Sequence, residues 1–82
     1  MKDLKESASL LGIIMENAVK MNQHEDVDVY FCLQGNTGCA CLTVEENKTQ
    51  VYQRREFITN TEGIRGIFCD IYRMRRAKEA GE

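Results

Sequence analysis

Four cysteines, one histidine and a few carboxylates are the residues of this 82-residue chain with chemistry to offer. Cys32, Cys39, Cys41 and Cys69 are separated by six, one and twenty-seven residues. Structural zinc is usually held by cysteine pairs two to four residues apart in loops. That spacing is missing, so no metal is expected, and the cysteines read as small, half-buried hydrophobes. A catalytic thiolate needs a neighbouring base. The only histidine, His24, lies in the polar run Asn22-Gln23-His24-Glu25-Asp26, with no evident route to a cysteine. Asp28, Glu46 and Lys48 are a third set. Two carboxylates can hold a divalent cation, and an amine can assist an attacking water. Gly63-Ile64-Arg65-Gly66 is too short for a phosphate-cradling loop and has no strand before it. The expectation is a protein with no catalytic residue and no cofactor.

The hydropathy pattern dictates the elements that must position these residues. Over residues 3–22, Leu4, Ala8, Leu11, Met15, Ala18 and Val19 recur at helical spacing. Leu10, Ile14 and Met21 widen that face beyond what one sheet contact needs, while Ile13 falls among the polar positions. After residue 26 the period changes to two. Val27, Val29, Phe31 and Leu33 alternate with Asp28, Tyr30, Cys32 and Gln34, which predicts a strand. Gly35-Asn36-Thr37-Gly38 is a turn, and Cys39 to Glu45 a second strand. Pairing Leu33 with Ala40, Phe31 with Leu42 and Val29 with Val44 keeps one face apolar, and a one-residue slip would mix the faces. Thr49 to Arg55 is a third, more polar strand at an edge. Val51 is expected inward near Leu42, and Tyr52 outward near Cys41. Thr59-Asn60-Thr61-Glu62 reads as a capping box. It opens a second helix with Ile64, Ile67, Phe68 and Ile71 on its apolar side. Gly63 and Gly66 weaken its first turns and leave room for close approach to the sheet.

The predicted architecture is therefore α+β: a single α-β-β-β-α domain over residues 1–82, with a three-stranded antiparallel meander and both helices on one sheet face. The other face then presents Tyr30, Cys32, Cys41 and Tyr52 to a partner or a second copy. Glu25, Asp26, Asp28, Glu45 and Glu46 gather at one end of the hairpin. Arg65, Cys69, Arg73 and Arg76 share a sector of the second helix, a stripe suited to phosphate contacts. The order helix, three strands, helix resembles the topology of the double-stranded-RNA-binding domain, which implies nucleic-acid binding as an alternative function. The lysine cluster of that family is replaced here by Thr59-Asn60-Thr61-Glu62. Asp28 with Glu46-Asn47-Lys48 resembles the Asp…Glu-x-Lys pattern of restriction-type nucleases, which implies Mg²⁺-dependent cleavage as a distant alternative. In that family Glu-x-Lys lies within a strand, whereas here it falls in a turn.

The charge is unevenly distributed. Residues 1–47 carry three cations and eight anions, and residues 48–82 carry eight cations and five anions, for a formal net charge of −2. That balance excludes a uniformly basic nucleic-acid coat. The first residues lack the apolar stretch of a signal peptide, and no apolar run approaches the ~20 residues of a membrane span. The expected location is the cytoplasm, with the cysteines as thiols. So short a chain buries a modest core, which favours a larger protein partner or a homodimer. In size and make-up it is similar to the small accessory proteins of phages and mobile elements, anti-CRISPR inhibitors among them. That similarity implies a non-catalytic protein-binding module that blocks a nucleic-acid-handling protein of a host.

Overall fold

The computed structural model describes residues 4–81. Its elements are α1 (Lys5–Met21), β1 (Val27–Gln34), β2 (Cys39–Glu46), β3 (Thr49–Phe57) and α2 (Thr61–Ala80). The strands form one antiparallel sheet in the order β1–β2–β3. Both helices pack on one face of it, so the α+β architecture is as expected. Among the described residues no helix is long and apolar enough to cross a membrane.

The first hairpin has the register that its two faces demand. Val29 lies opposite Val44, Phe31 opposite Leu42 and Leu33 opposite Ala40. On the other face Asp28 meets Glu45, Tyr30 meets Thr43 and Cys32 meets Cys41. Gly38, at a φ of 70°, turns the chain where an L side chain would be strained. Ala40, Leu42 and Val44 of the middle strand are fully buried with Ile14 of α1 and Ile64, Ile67 and Ile71 of α2. Each of the larger side chains contributes roughly 1.5–3 kcal/mol by leaving water.

The third strand reverses its expected faces. Asn47 and Lys48, at φ of 52° and 67°, form a two-residue turn that sets Glu46 against Thr49 and Glu45 against Gln50. The register then shifts, and Val44 pairs with Tyr52. Val51 is the extra residue of a β-bulge, and an extra residue exchanges the faces of everything beyond it. Val51 is consequently 53% exposed, and Tyr52 packs against the core. Arg54 and Glu56, two and four residues on, face α2 as well.

Two glycines of α2 make room for those side chains. A Cβ on Gly66 would stand 2.6 Å from the Arg54 guanidinium, and one on Gly63 would stand 2.4 Å from the Glu56 carboxylate. The helix begins one residue later than the capping box suggests. Asn60, not Thr59, is the cap, and its side chain accepts the Gly63 N–H at 3.2 Å. The helices are tied at both ends. Ser7 Oγ donates to the Ile58 carbonyl at 2.8 Å and lies 3.2 Å from Thr61 Oγ1. Further along, Arg75 Nε donates to Asn17 Oδ1.

Candidate interaction surfaces

Among the described residues, no other element covers the side of the sheet opposite the helices. β1 contributes Asp28, Tyr30 and Cys32, β2 contributes Cys41, Thr43 and Glu45, and β3 contributes Val51, Gln53, Arg55 and Phe57. Tyr30 is 56% and Phe57 61% exposed. Tyr30 sits between two anions. Glu45 first, then Asp28, push its phenol above the usual tyrosine range, because they oppose a third negative charge. Of the expected partner face, Tyr30, Cys32 and Cys41 are therefore where the alternation predicts them. Tyr52 is not, because the bulge turns it inward. Cys39 shares the outer register but is buried, while Cys32 and Cys69 are exposed.

The acidic end is assembled as expected, with one member neutralised. Asp28 and Glu45 are direct cross-strand partners, and Glu46 is opposite Val27. Glu25 is exposed in the α1–β1 connection. Asp26 accepts a hydrogen bond from Lys78 Nζ near the end of α2. That bond is the main reason its carboxyl is held below the usual range. Helical spacing could not reveal the pair, since the two residues are 52 apart in the chain.

The basic stripe of α2 is largely paired. Arg65 bonds Glu6 of α1, and Arg73 bonds Asp70 one turn away. Arg76 donates to the Tyr72 hydroxyl at 3.1 Å and lies over that ring at 5.8 Å. Two of the three expected phosphate contacts thus already neutralise carboxylates of the same chain.

A polar network between β3 and α2 is legible only in three dimensions. The Tyr52 hydroxyl donates to Asp70 Oδ2 at 2.7 Å, and Arg54 donates to the same oxygen at 3.1 Å. Arg54 also donates to Glu56 at 2.9 Å, and Asn60 Nδ2 reaches Glu56 at 3.4 Å. Burial, then the bond to Asp70, raises the Tyr52 phenol far above its ordinary value. At Asp70 burial pushes the carboxyl up, but donors Tyr52, Arg54 and Arg73 outweigh it and hold the group below its usual range. The clue in the sequence is the spacing Tyr52-x-Arg54-x-Glu56 beside two helix glycines. The network ties β3 to α2.

Among the described residues, no group of three or more His, Cys, Asp or Glu side chains could hold a metal ion. Glu46 and Lys48 flank the tip of the second hairpin, with Asn47 and Lys48 forming the turn. Comparison with protein-family models, curated proteins and solved structures finds no match.

Proposed function

We propose that the protein is a non-catalytic binding module that acts by protein–protein contact through the outer face of its sheet. The observation that carries this reading is the uncovered face itself, with Tyr30, Val51 and Phe57 each more than half exposed. A soluble domain seldom leaves apolar and aromatic groups together in water without a use for them. Tyrosine buries large area at low entropic cost, which suits an anchor. Glu25, Asp28, Glu45 and Glu46 border this face at one end, so the complementary partner surface is basic. A basic surface of that kind is what a nucleic-acid-handling protein offers. Occupying it makes this chain an inhibitor, in the manner of a small accessory protein of a phage or mobile element.

The test is capture of partners from a native lysate with the wild-type chain and two variants. One variant is Tyr30→Ala, and the other combines Glu25→Gln, Asp28→Asn, Glu45→Gln and Glu46→Gln. The expected result is one protein retained by the wild type, with retention falling in both variants and at high salt. Retention by both variants equal to the wild type overturns the reading. So does salt-sensitive binding to nucleic acid that disappears when Arg73 and Arg76 are both changed to alanine.

A further inference from the structure

We infer that the chain forms a two-fold dimer by pairing the second half of β1 with β1 of another copy, with Cys32 at the symmetry axis. The inference stands apart from the proposed function, because it uses the edge of the sheet rather than its face.

The argument begins with the backbone groups of β1. In an antiparallel ladder, alternate residues turn both N–H and C=O toward the partner strand, and the residues between turn both away. Asp26 C=O accepts from Asn47 N–H, so the even-numbered residues face β2. Val27, Val29, Phe31 and Leu33 then face outward, and β1 is an edge strand. The first two are already satisfied by the α1–β1 connection. Val27 N–H donates to the His24 carbonyl at 3.1 Å, and Val29 N–H to Asn22 Oδ1 at 3.1 Å. Phe31 and Leu33 have no such partner among the described residues. The open part of the edge is thus one short segment with two outward residues.

Only one two-fold register uses those groups and no others. Centring the axis on Cys32 sets Phe31 against Leu33 of the second copy, and Leu33 against its Phe31. Both pairs exchange N–H···O=C bonds in both directions. Centring it on Phe31 would require Val29, whose N–H is taken by Asn22. Centring it on Leu33 would require Gly35, which lies in the turn.

Side chains and charge favour the same arrangement. Leu33 is 57% exposed although it belongs to the apolar face. Leu4 and Met15 of α1, which packs on β1, are exposed as well. No residue from Val29 to Gly38 carries a charge, so nothing along the open edge repels a second copy. Natural edges are usually blunted by charges or bulges, and this segment has neither.

The register makes a specific demand on Cys32. Across the axis the two copies of this residue are a non-hydrogen-bonded pair, with Cα atoms about 4.5 Å apart. That separation lies within the range that a disulfide spans.

The experiment measures mass in solution and treats the protein with diamide, which takes up two electrons and two protons as each Sγ–Sγ bond forms. The expected result is a concentration-dependent dimer that becomes covalent in the wild type, Cys41→Ser and Cys69→Ser, and stays non-covalent in Cys32→Ser. Leu33→Lys should weaken the dimer on the order of a hundred-fold, since the axis places the substitution twice. Its far-ultraviolet circular dichroism should match the wild type. A monomer at all accessible concentrations overturns the inference. So does a dimer that persists in Leu33→Lys, or one that cross-links through Cys41 or Cys69.

Discussion

The two edges of the sheet are treated in opposite ways. β3 carries Arg54, Arg55 and Glu56, is bent by a bulge at Val51, and is anchored to α2 through Tyr52, Arg54 and Asp70. Charges that point inward and a local bulge are the means by which sheets resist unwanted strand addition. β1 carries one charge, Asp28, and is restrained only over its first half by Asn22 and His24. The difference shows that this chain can protect an edge and does so on one side. The unprotected side is therefore informative, because its Phe31–Leu33 segment is neutral and, among the described residues, its outward backbone groups have no partner.

The largest expected effect comes from the strand that both edges share. Leu42 pairs with Phe31 on one side and Arg54 on the other and is fully buried. Leu42→Ala should cost about 2–5 kcal/mol in urea unfolding and loosen both edges together. A loss confined to one edge in hydrogen exchange would show that the edges are independent units.

Next comes the anchor of the protected edge. Asp70→Ala leaves the Tyr52 hydroxyl without its acceptor and Arg54 with Glu56 alone, and should cost about 1–3 kcal/mol. The same group predicts a pH dependence. Its folded carboxyl titrates below the ordinary value of 3.8, so its contribution is present above that value. It is lost as the pH falls through the folded value. The acid limb of the stability curve should therefore be shallower in Asp70→Asn, and an unchanged limb would contradict the network.

Asn22→Ala probes the other edge. Asn22 ends α1 and binds the Val29 N–H. Its loss should cost roughly 1 kcal/mol. It should also lower the yield of the Cys32 cross-link, since a freed Val29 admits the register centred on Phe31. An unchanged yield would mean that Asn22 does not select the register.

The smallest effect is expected at Arg73. Its side chain is 76% exposed and pairs with Asp70 at i,i+3. Arg73→Ala should shift stability by less than about 0.5 kcal/mol, because exposed pairs are screened by water. A loss as large as that of Asp70→Ala would place Arg73 in the anchor itself.

Much of this molecule was legible in its residues. The β1–β2 register followed from composition, since only one alignment keeps Val29, Phe31 and Leu33 opposite Val44, Leu42 and Ala40. The apolar side of α2 followed from spacing, but the face of α1 is rotated from the expected one. Leu4, Met15 and Val19 are exposed like Ile13, while Ile14, Ala18 and Met21 are buried together with Ser7 and Asn17, whose side chains bond Ile58 and Arg75. The faces of β3 did not follow. Val51 and Tyr52 are both good strand residues, and alternation cannot show where a bulge adds one. Of the proposed recognition residues, Tyr30, Cys32 and Cys41 were placed by alternation alone. The neutralisation of Asp26 by Lys78 and of Arg65 by Glu6 required knowing which helix end lies beside which loop.

Local pattern by itself determined the order of elements, the apolar side of β1, β2 and α2, and the pairing of the first hairpin. These depend on neighbours a few residues apart, whose geometry is set by the 3.6 and 2 periods of the backbone. Tertiary structure alone decided which charges are spent on one another, which way β3 faces, and where the backbone of β1 is left unbonded. Those outcomes depend on groups brought together from distant parts of the chain, and the shift of a single residue at Val51 was enough to reassign a whole strand.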